Sequence, residues 1–266
     1  MSPANRAPFA RIVGLCVAVL AATEGAVAQT PAGPQGDDYE SIARLPDWSG
    51  VWVLPWAAFA EENVRVRQPG DPRAPRFAGE AAAAQAVLRT QVTTGRPADG
   101  AALLRQNAEL CLPIGMPNVM RYAFGIEFLF TPGRVTILLE QDGATRRVRT
   151  DGRRHDPEAE PSYLGDSIGY WDNGTLVVDT ISISAKAELL AGIRSSGGAH
   201  VVEKIRLDEH GNLRIDAVTE DPIALSAPWH ITRTYERSSV GISERACLDN
   251  NRDIGDGDPD LTPPPG

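Results

Sequence analysis

The chain has 266 residues, of which 42% are apolar and 23% charged, with a formal net charge of −9. Nucleic-acid binding usually needs a basic face, so an acidic chain is a poor candidate for it, and no nucleic-acid partner is expected. The length is enough for one domain to enclose a sizeable core.

The first residues have the order of a secretory signal peptide. Arg6 and Arg11 precede or open an apolar run ending at Ala22, and Ala26-Val27-Ala28 supplies a small-residue cleavage site before Gln29. The run is too short for a bilayer-spanning helix, which takes roughly 20 residues. Leu15 before Cys16 does not fit a lipid-anchor signal. The expectation is therefore a signal peptide at 1–28, a periplasmic or extracellular mature protein and no membrane span. Removal of Arg6, Arg11 and Glu24 with this peptide moves the net charge from −9 to −10. Two cysteines, Cys111 and Cys247, remain after cleavage. In an oxidising compartment such a pair predicts one disulfide, worth about 4–5 kcal/mol as an upper figure from loop closure.

Residues 29–46 open with a Pro/Gly/polar flexible leader. A first strand is expected in DWSGVWVLPW (47–56), followed by a non-β stretch and two Ala/Leu-rich helical segments within 79–110. From residue 121 the pattern changes to strands and turns. RYAFGIEFLF (121–130) places Tyr122, Phe124, Ile126, Phe128 and Phe130 on one face, and RVTILLE alternates in the same way. Pro132-Gly133, Asp142-Gly143, Asn173-Gly174 and His210-Gly211 punctuate the run as turns. The last strand is PWHITRTYER (228–237). About nine short strands without intervening helices predict an antiparallel barrel or sandwich. The expected fold is a mainly β, lipocalin-like barrel over 47–249, with a disordered acidic tail over 250–266.

Gly165-Asp166-Ser167-Ile168-Gly169 matches the letters of the serine-hydrolase motif G-x-S-x-G. That motif works at a strand-to-helix corner in a mostly parallel sheet. Here a strand end and the Asn173-Gly174 turn follow, so Ser167 is read as a strand residue and the glycines as a bend or a close approach. DNNRDIGDGDPD (249–260) has alternating calcium-type donors, but Ile254 stands where the loop needs glycine. The histidines His155, His200, His210 and His230 lack the spacing of a helical metal site, and the two cysteines have no neighbouring histidine. No metal and no cofactor are expected.

The alternation puts charges on apolar faces. Glu203 shares a face with Val201, Ile205 and Leu207, and Arg233 and Arg237 share one with Trp229, Ile231 and Tyr235. If both faces point inward, Glu203 and an arginine of the last strand are expected to pair, either as a brace or as part of a ligand site. His155 is a candidate base oriented by Asp166 or Glu203. The arginine-rich stretch TRRVRTDGRRH is expected either to bind an anionic group on a ligand or to salt-bridge the acidic loop HDPEAEP that follows it.

The blocks CLPIGMP, TPGRVTILLE, RTDGRRH, PSYLGDSIGYWDNGTLVVDT, HVVEKIRL, PWHITRTYER and ACLDNNRD resemble a family of exported bacterial proteins of unknown activity. The resemblance covers roughly 109–253, implies no transferable activity, and its cysteine blocks imply the disulfide. SGVW (49–52) is similar to the G-x-W that opens lipocalin barrels, which implies that Trp52 packs on Arg233 or Arg237. The functional expectation is a small-molecule carrier for an apolar or aromatic ligand. Its binding residues are drawn from Tyr122, Tyr163, Trp171, His200, Trp229 and Tyr235. The alternatives are a cofactor-free enzyme (lyase, isomerase or hydrolase) built on His155, Asp166, Glu203 and Arg233, and an envelope structural protein with a filled barrel.

Overall fold

The structure, a computed structural model, describes residues 36–66, 70–94, 111–190 and 192–244, with 90–94 described by their backbone alone. The signal peptide, residues 29–35 of the leader, the second helical stretch, Cys247 and the acidic tail lie outside the described residues.

Nine strands close into a barrel. They are β1 (Val51–Val53), β2 (Ile126–Thr131), β3 (Arg134–Leu139), β4 (Ala144–Arg149), β5 (Asp166–Asp172), β6 (Thr175–Ile181), β9 (His200–Leu207), β10 (Leu213–Glu220) and β11 (Trp229–Ser238). A short hairpin, β7 (Glu188–Leu190) and β8 (Ile193–Arg194), sits in the connection from β6 to β9. The order around the barrel is β1-β11-β10-β9-β6-β5-β4-β3-β2. A closed ring with an odd number of strands cannot alternate direction throughout. The one like-directed pair is β4 with β5, which touch only through Val148–Ser167 and Arg149–Ile168. That pairing forces the chain from 150 to 165 to double back before it re-enters the sheet.

The expected turns occur where the sequence placed them. Asp142 and Gly143 have φ of 62° and 57°, and Asn173 and Gly174 have φ of 48° and 79°. Asn173-Gly174 has the left-handed angles that a two-residue hairpin turn requires, between the paired Asp172 and Thr175, whereas Asp142-Gly143 closes a four-residue loop between the paired Leu139 and Ala144. Gly169 is needed for close approach, because a Cβ there would lie 2.8 Å from the Val177 carbonyl oxygen and 2.9 Å from Val148 Cγ1.

The alternation resolves into inward and outward faces. Ile126, Phe128, Val135, Ile137, Leu139, Val148, Leu176, Val178, Val201, Ile205, Leu213 and Ile215 all point into one buried core. Trp48 fills one part of it, with ring centroids 5.2 Å from Phe128 and 5.2 Å from Trp171. Trp52 is fully buried and the Arg237 guanidinium lies 4.4 Å from its ring centroid. Arg237 also donates to the backbone oxygens of Asp47 and Ser49. Of the two arginines expected near Trp52, Arg237 takes the position.

Among the described residues three α-helices accompany the barrel: α1 (Tyr39–Ile42), α2 (Trp56–Arg65) and α3 (Gly79–Thr94). Asp38 caps α1, accepting from the Ser41 amide at 2.7 Å. Helix α2 falls in the stretch the sequence reading left without structure. Its Glu62 is buried although the rest of its sequence is mixed. The reason is tertiary. Strand β1 reaches only Glu236–Ser238 of β11, so the first part of β11 has no β1 neighbour. Helix α2 lies near that stretch and sends Glu62 to Arg233. No described helix is long and apolar enough to cross a membrane.

Candidate functional site

Two buried ion pairs occupy the barrel interior, and they differ from the pairing expected between Glu203 and the last strand. Glu203 on β9 and Arg233 on β11 are separated by β10, whose Ala217 stands beside Glu203 and whose Ile215 stands beside Arg233. Glu203 instead reaches across to Arg146 of β4, with Nη2 to Oε2 at 2.5 Å. Arg146 also donates to Thr180 at 2.8 Å and to Ser167 at 3.3 Å, and Ser167 lies 2.9 Å from Thr180. Ser167 is thus a buried strand residue held by an arginine and a threonine, with a hairpin after it. Arg233 forms a two-pronged pair with Glu62, at 2.9 and 2.8 Å. Burial alone would raise the Glu62 carboxyl, but the Arg233 charge and its hydrogen bonds outweigh it and hold it below its ordinary value.

A second polar group lies on the outer wall. Arg149 of β4 grips Asp166 of β5 with bonds of 2.5 and 3.0 Å. Those bonds are the main reason the Asp166 carboxyl is lowered to about 2; its burial opposes the shift and the His155 bond assists it. His155, from the doubling-back segment, places Nδ1 2.8 Å from Asp166 Oδ2. Its Nε2 lies 3.1 Å from Asp179 Oδ1 on β6. His200, the first residue of β9, brings its own Nε2 to the same Asp179 oxygen at 3.0 Å and its Nδ1 to 3.7 Å from Glu220 Oε2. Exposure rises along the series: the Asp166 side chain is 11% exposed, His155 18%, His200 37% and Asp179 41%. The His155–Asp166 approach proposed from sequence is therefore present, while Glu203 stays inside the barrel with Arg146. Among the described residues no group of three or more His, Cys, Asp or Glu side chains is placed to hold a metal ion.

The described hollows lie elsewhere. A cleft of about 300 Å³ runs between α2 and β11, with Val66, Trp229 and Ile231 as its apolar lining and Glu62, Arg65, Arg73 and His230 among its polar groups. The indole Nε1 of Trp229 donates to the Arg73 carbonyl at 3.0 Å, which fixes the ring. A more open hollow of about 340 Å³ includes Tyr163, Asp142 and Thr145.

The remaining aromatic candidates are placed in packing. Trp171 lies in the cluster with Trp48 and Phe130. Tyr235 is fully buried and donates to the Met120 carbonyl, and burial raises its hydroxyl well above the ordinary value. Tyr122 stacks on Phe124 at 6.2 Å and lies beside Arg121. Sequence reading missed Asp179 and Glu62, and it gave Arg149 the acidic loop after it as a partner where the structure gives Asp166 of β5. Asp179 carried a signal: in TLVVDT it sits on the face opposite Leu176 and Val178. Glu62 carried none, because its partner is 171 residues away. No protein-family model matches the chain, and no curated protein sequence matches it.

Proposed function

We propose that the protein is an exported small-molecule-binding β-barrel, lipocalin-like in outline, whose ligand occupies the cleft between α2 and β11. The observation that supports this is the cleft's make-up. About 300 Å³ with a fixed Trp229 wall, further apolar lining and a few polar groups has the size and composition of a small-ligand site. The barrel axis is a poorer choice, because side chains such as Ile137, Leu176, Val201 and Ile205 fill it. The ligand class is an apolar or aromatic molecule that lies against Trp229 and takes hydrogen bonds from the arginine-lined rim. The same reading places the mature protein in an oxidising compartment, with Cys111 and Cys247 joined.

The test uses 1-anilinonaphthalene-8-sulfonate, an aromatic probe whose fluorescence rises in apolar sites. The expected result is one saturable site per chain. His230→Trp, a change at an exposed lining position, is expected to weaken binding at least about tenfold, the loss that about 1.4 kcal/mol produces. Saturable binding untouched by this substitution, or no saturable binding, refutes the assignment.

A further inference from the structure

We infer that the ligand of the α2–β11 cleft is a short peptide with a free C-terminal carboxylate, held in extended form against the open main-chain edge of β11. The inference rests on the cleft reading above and adds the class of molecule that the cleft takes. Residues Trp229 to Tyr235 pair with β10 along one side. In such a ladder alternate residues turn their N–H and C=O toward the partner strand, and the residues between turn theirs to the opposite side. On that opposite side β1 meets only Glu236–Ser238. Among the described residues no backbone outside the sheet bonds to any residue from 229 to 235. A strand edge of this kind is a template for one more strand.

A neighbouring stretch of chain already uses such pairing. Just ahead of β11, the Ser226 amide donates to the Arg76 carbonyl at 2.8 Å and the Ala78 amide to the Ala224 carbonyl at 2.9 Å. Phe77 stands opposite Leu225 between them, in antiparallel register. That pairing gives way to the contact in which the Arg73 carbonyl accepts from the Trp229 indole, and the cleft begins at the same tryptophan. Four consecutive β11 residues, Trp229 to Thr232, line it. At about 3.4 Å per residue they face about three residues of an added strand. The wall of Trp229, Ile231 and Val66 suits one aromatic or large aliphatic side chain. Arg65 also lines the cleft; its Nη2 holds Glu61 at 2.9 Å, while its buried Nε has no acceptor. A buried donor left unpaired is costly, and a terminal carboxylate supplies the acceptor through a charge-assisted bond. Glu62, in the same cleft, is committed to Arg233, so its charge is offset.

The competing account is that α2 only shields the edge from pairing with other chains, as proteins do with open strands. Displacement of 1-anilinonaphthalene-8-sulfonate from the full mature chain separates the two. The competitors are the tripeptide Ala-Phe-Ala, its C-terminal amide, and the same tripeptide N-methylated at both amides. Ala-Phe-Ala is expected to displace the probe one for one and to slow hydrogen exchange of amides within residues 229–235. N-methylation removes the donors that an added strand needs, and is expected to weaken displacement at least about tenfold. Amidation of the carboxylate should weaken it by a similar factor in the wild-type chain and by much less in Arg65→Met, whose fold is checked by circular dichroism. A bound probe that Ala-Phe-Ala does not displace overturns the peptide assignment and leaves the cleft reading standing. Equal displacement by the N-methylated peptide overturns strand addition, and equal displacement by the amide overturns the carboxylate's place on Arg65. Failure of the probe to bind at all overturns the cleft reading and this inference with it.

Discussion

The two polar groups of this barrel, one inside and one on the wall, contain similar residues and behave under different physics. Inside, Arg146 and Glu203 are almost fully buried, and the charge of each is offset by a fixed partner 2.5 Å away. On the wall, the His155 and His200 cluster shares its carboxylates among several donors and reaches solvent. A buried pair of this kind is costly to break and contributes little net stability while whole. A wall cluster is inexpensive to break and free to exchange its partners. The interior is thus costly to rearrange, and the wall is not.

The largest expected effect comes from breaking the inner pair. Glu203→Leu alone leaves Arg146 charged and buried, and is expected to cost about 3–5 kcal/mol in urea unfolding. Arg146→Met should cost a similar amount. The double variant should recover most of the loss, since two apolar side chains of similar size replace the ions. A double variant as unstable as the sum of the singles would mean that the pair does more than neutralise itself.

That experiment also touches the limit of what the sequence could reveal. Period-two alternation made nine strands legible, and Asn173-Gly174 and Asp142-Gly143 marked turns whose angles the structure bears out. It also showed that Glu203 and Arg233 point inward. It could not show which charge crosses the barrel to meet which, because pairing across a closed ring depends on shear and closure. So Arg146 and Glu62 replaced the expected partners. Helix α2 was illegible for the same reason, being placed by the gap that a three-residue β1 leaves. On the wall, His155 and Asp166 could be suspected of meeting, but Asp179 as the shared centre follows only from the register of β5, β6 and β9.

A medium effect should come from the point where the first and last strands close the ring. Arg237 lies over Trp52 and holds the backbone of the segment before β1. Arg237→Met keeps the apolar stem but removes the cation above the ring and the two backbone bonds. A loss of about 1–2 kcal/mol is expected, from a cation–π contact of about 0.5–2 kcal/mol and modest hydrogen bonds. Thermal unfolding checks it. A variant with unchanged melting would remove the closure role from Arg237.

Breaking the wall should cost less in global stability than either. His155→Ala removes contacts with Asp166 and Asp179 that are partly exposed, so a global loss below about 1 kcal/mol is expected. Its mark should be local: limited proteolysis between residues 150 and 165 should accelerate, because His155 holds that segment to β5 and β6. Unchanged proteolysis would show that the other bonds, from Arg149 to the Arg154 carbonyl and from the Asp156 amide to Asp166, hold the segment without His155.

The smallest effect concerns acid, and it separates wall from interior by titration alone. Asp216, on the outer face of β10, is partly buried, which would raise its carboxyl. Bonds from Arg214, Thr232 and Arg206 outweigh that and bring it to about 2. A carboxyl depressed on folding binds fewer protons in the folded chain than in the unfolded one. Its contribution is complete above the ordinary carboxylate range near pH 4. It declines as pH falls from there and is gone once the folded carboxyl protonates near pH 2. Asp216→Asn should therefore be slightly less stable than the parent at pH 6, and the two should converge toward pH 2. The gap should shrink in high salt, since the arginines around Asp216 are solvent-accessible and screened. Glu203→Leu should keep most of its deficit in high salt at pH 6, because the pair it breaks is shielded from ions. If both variants respond to salt alike, inside and outside are not the separate electrostatic environments that their burial indicates.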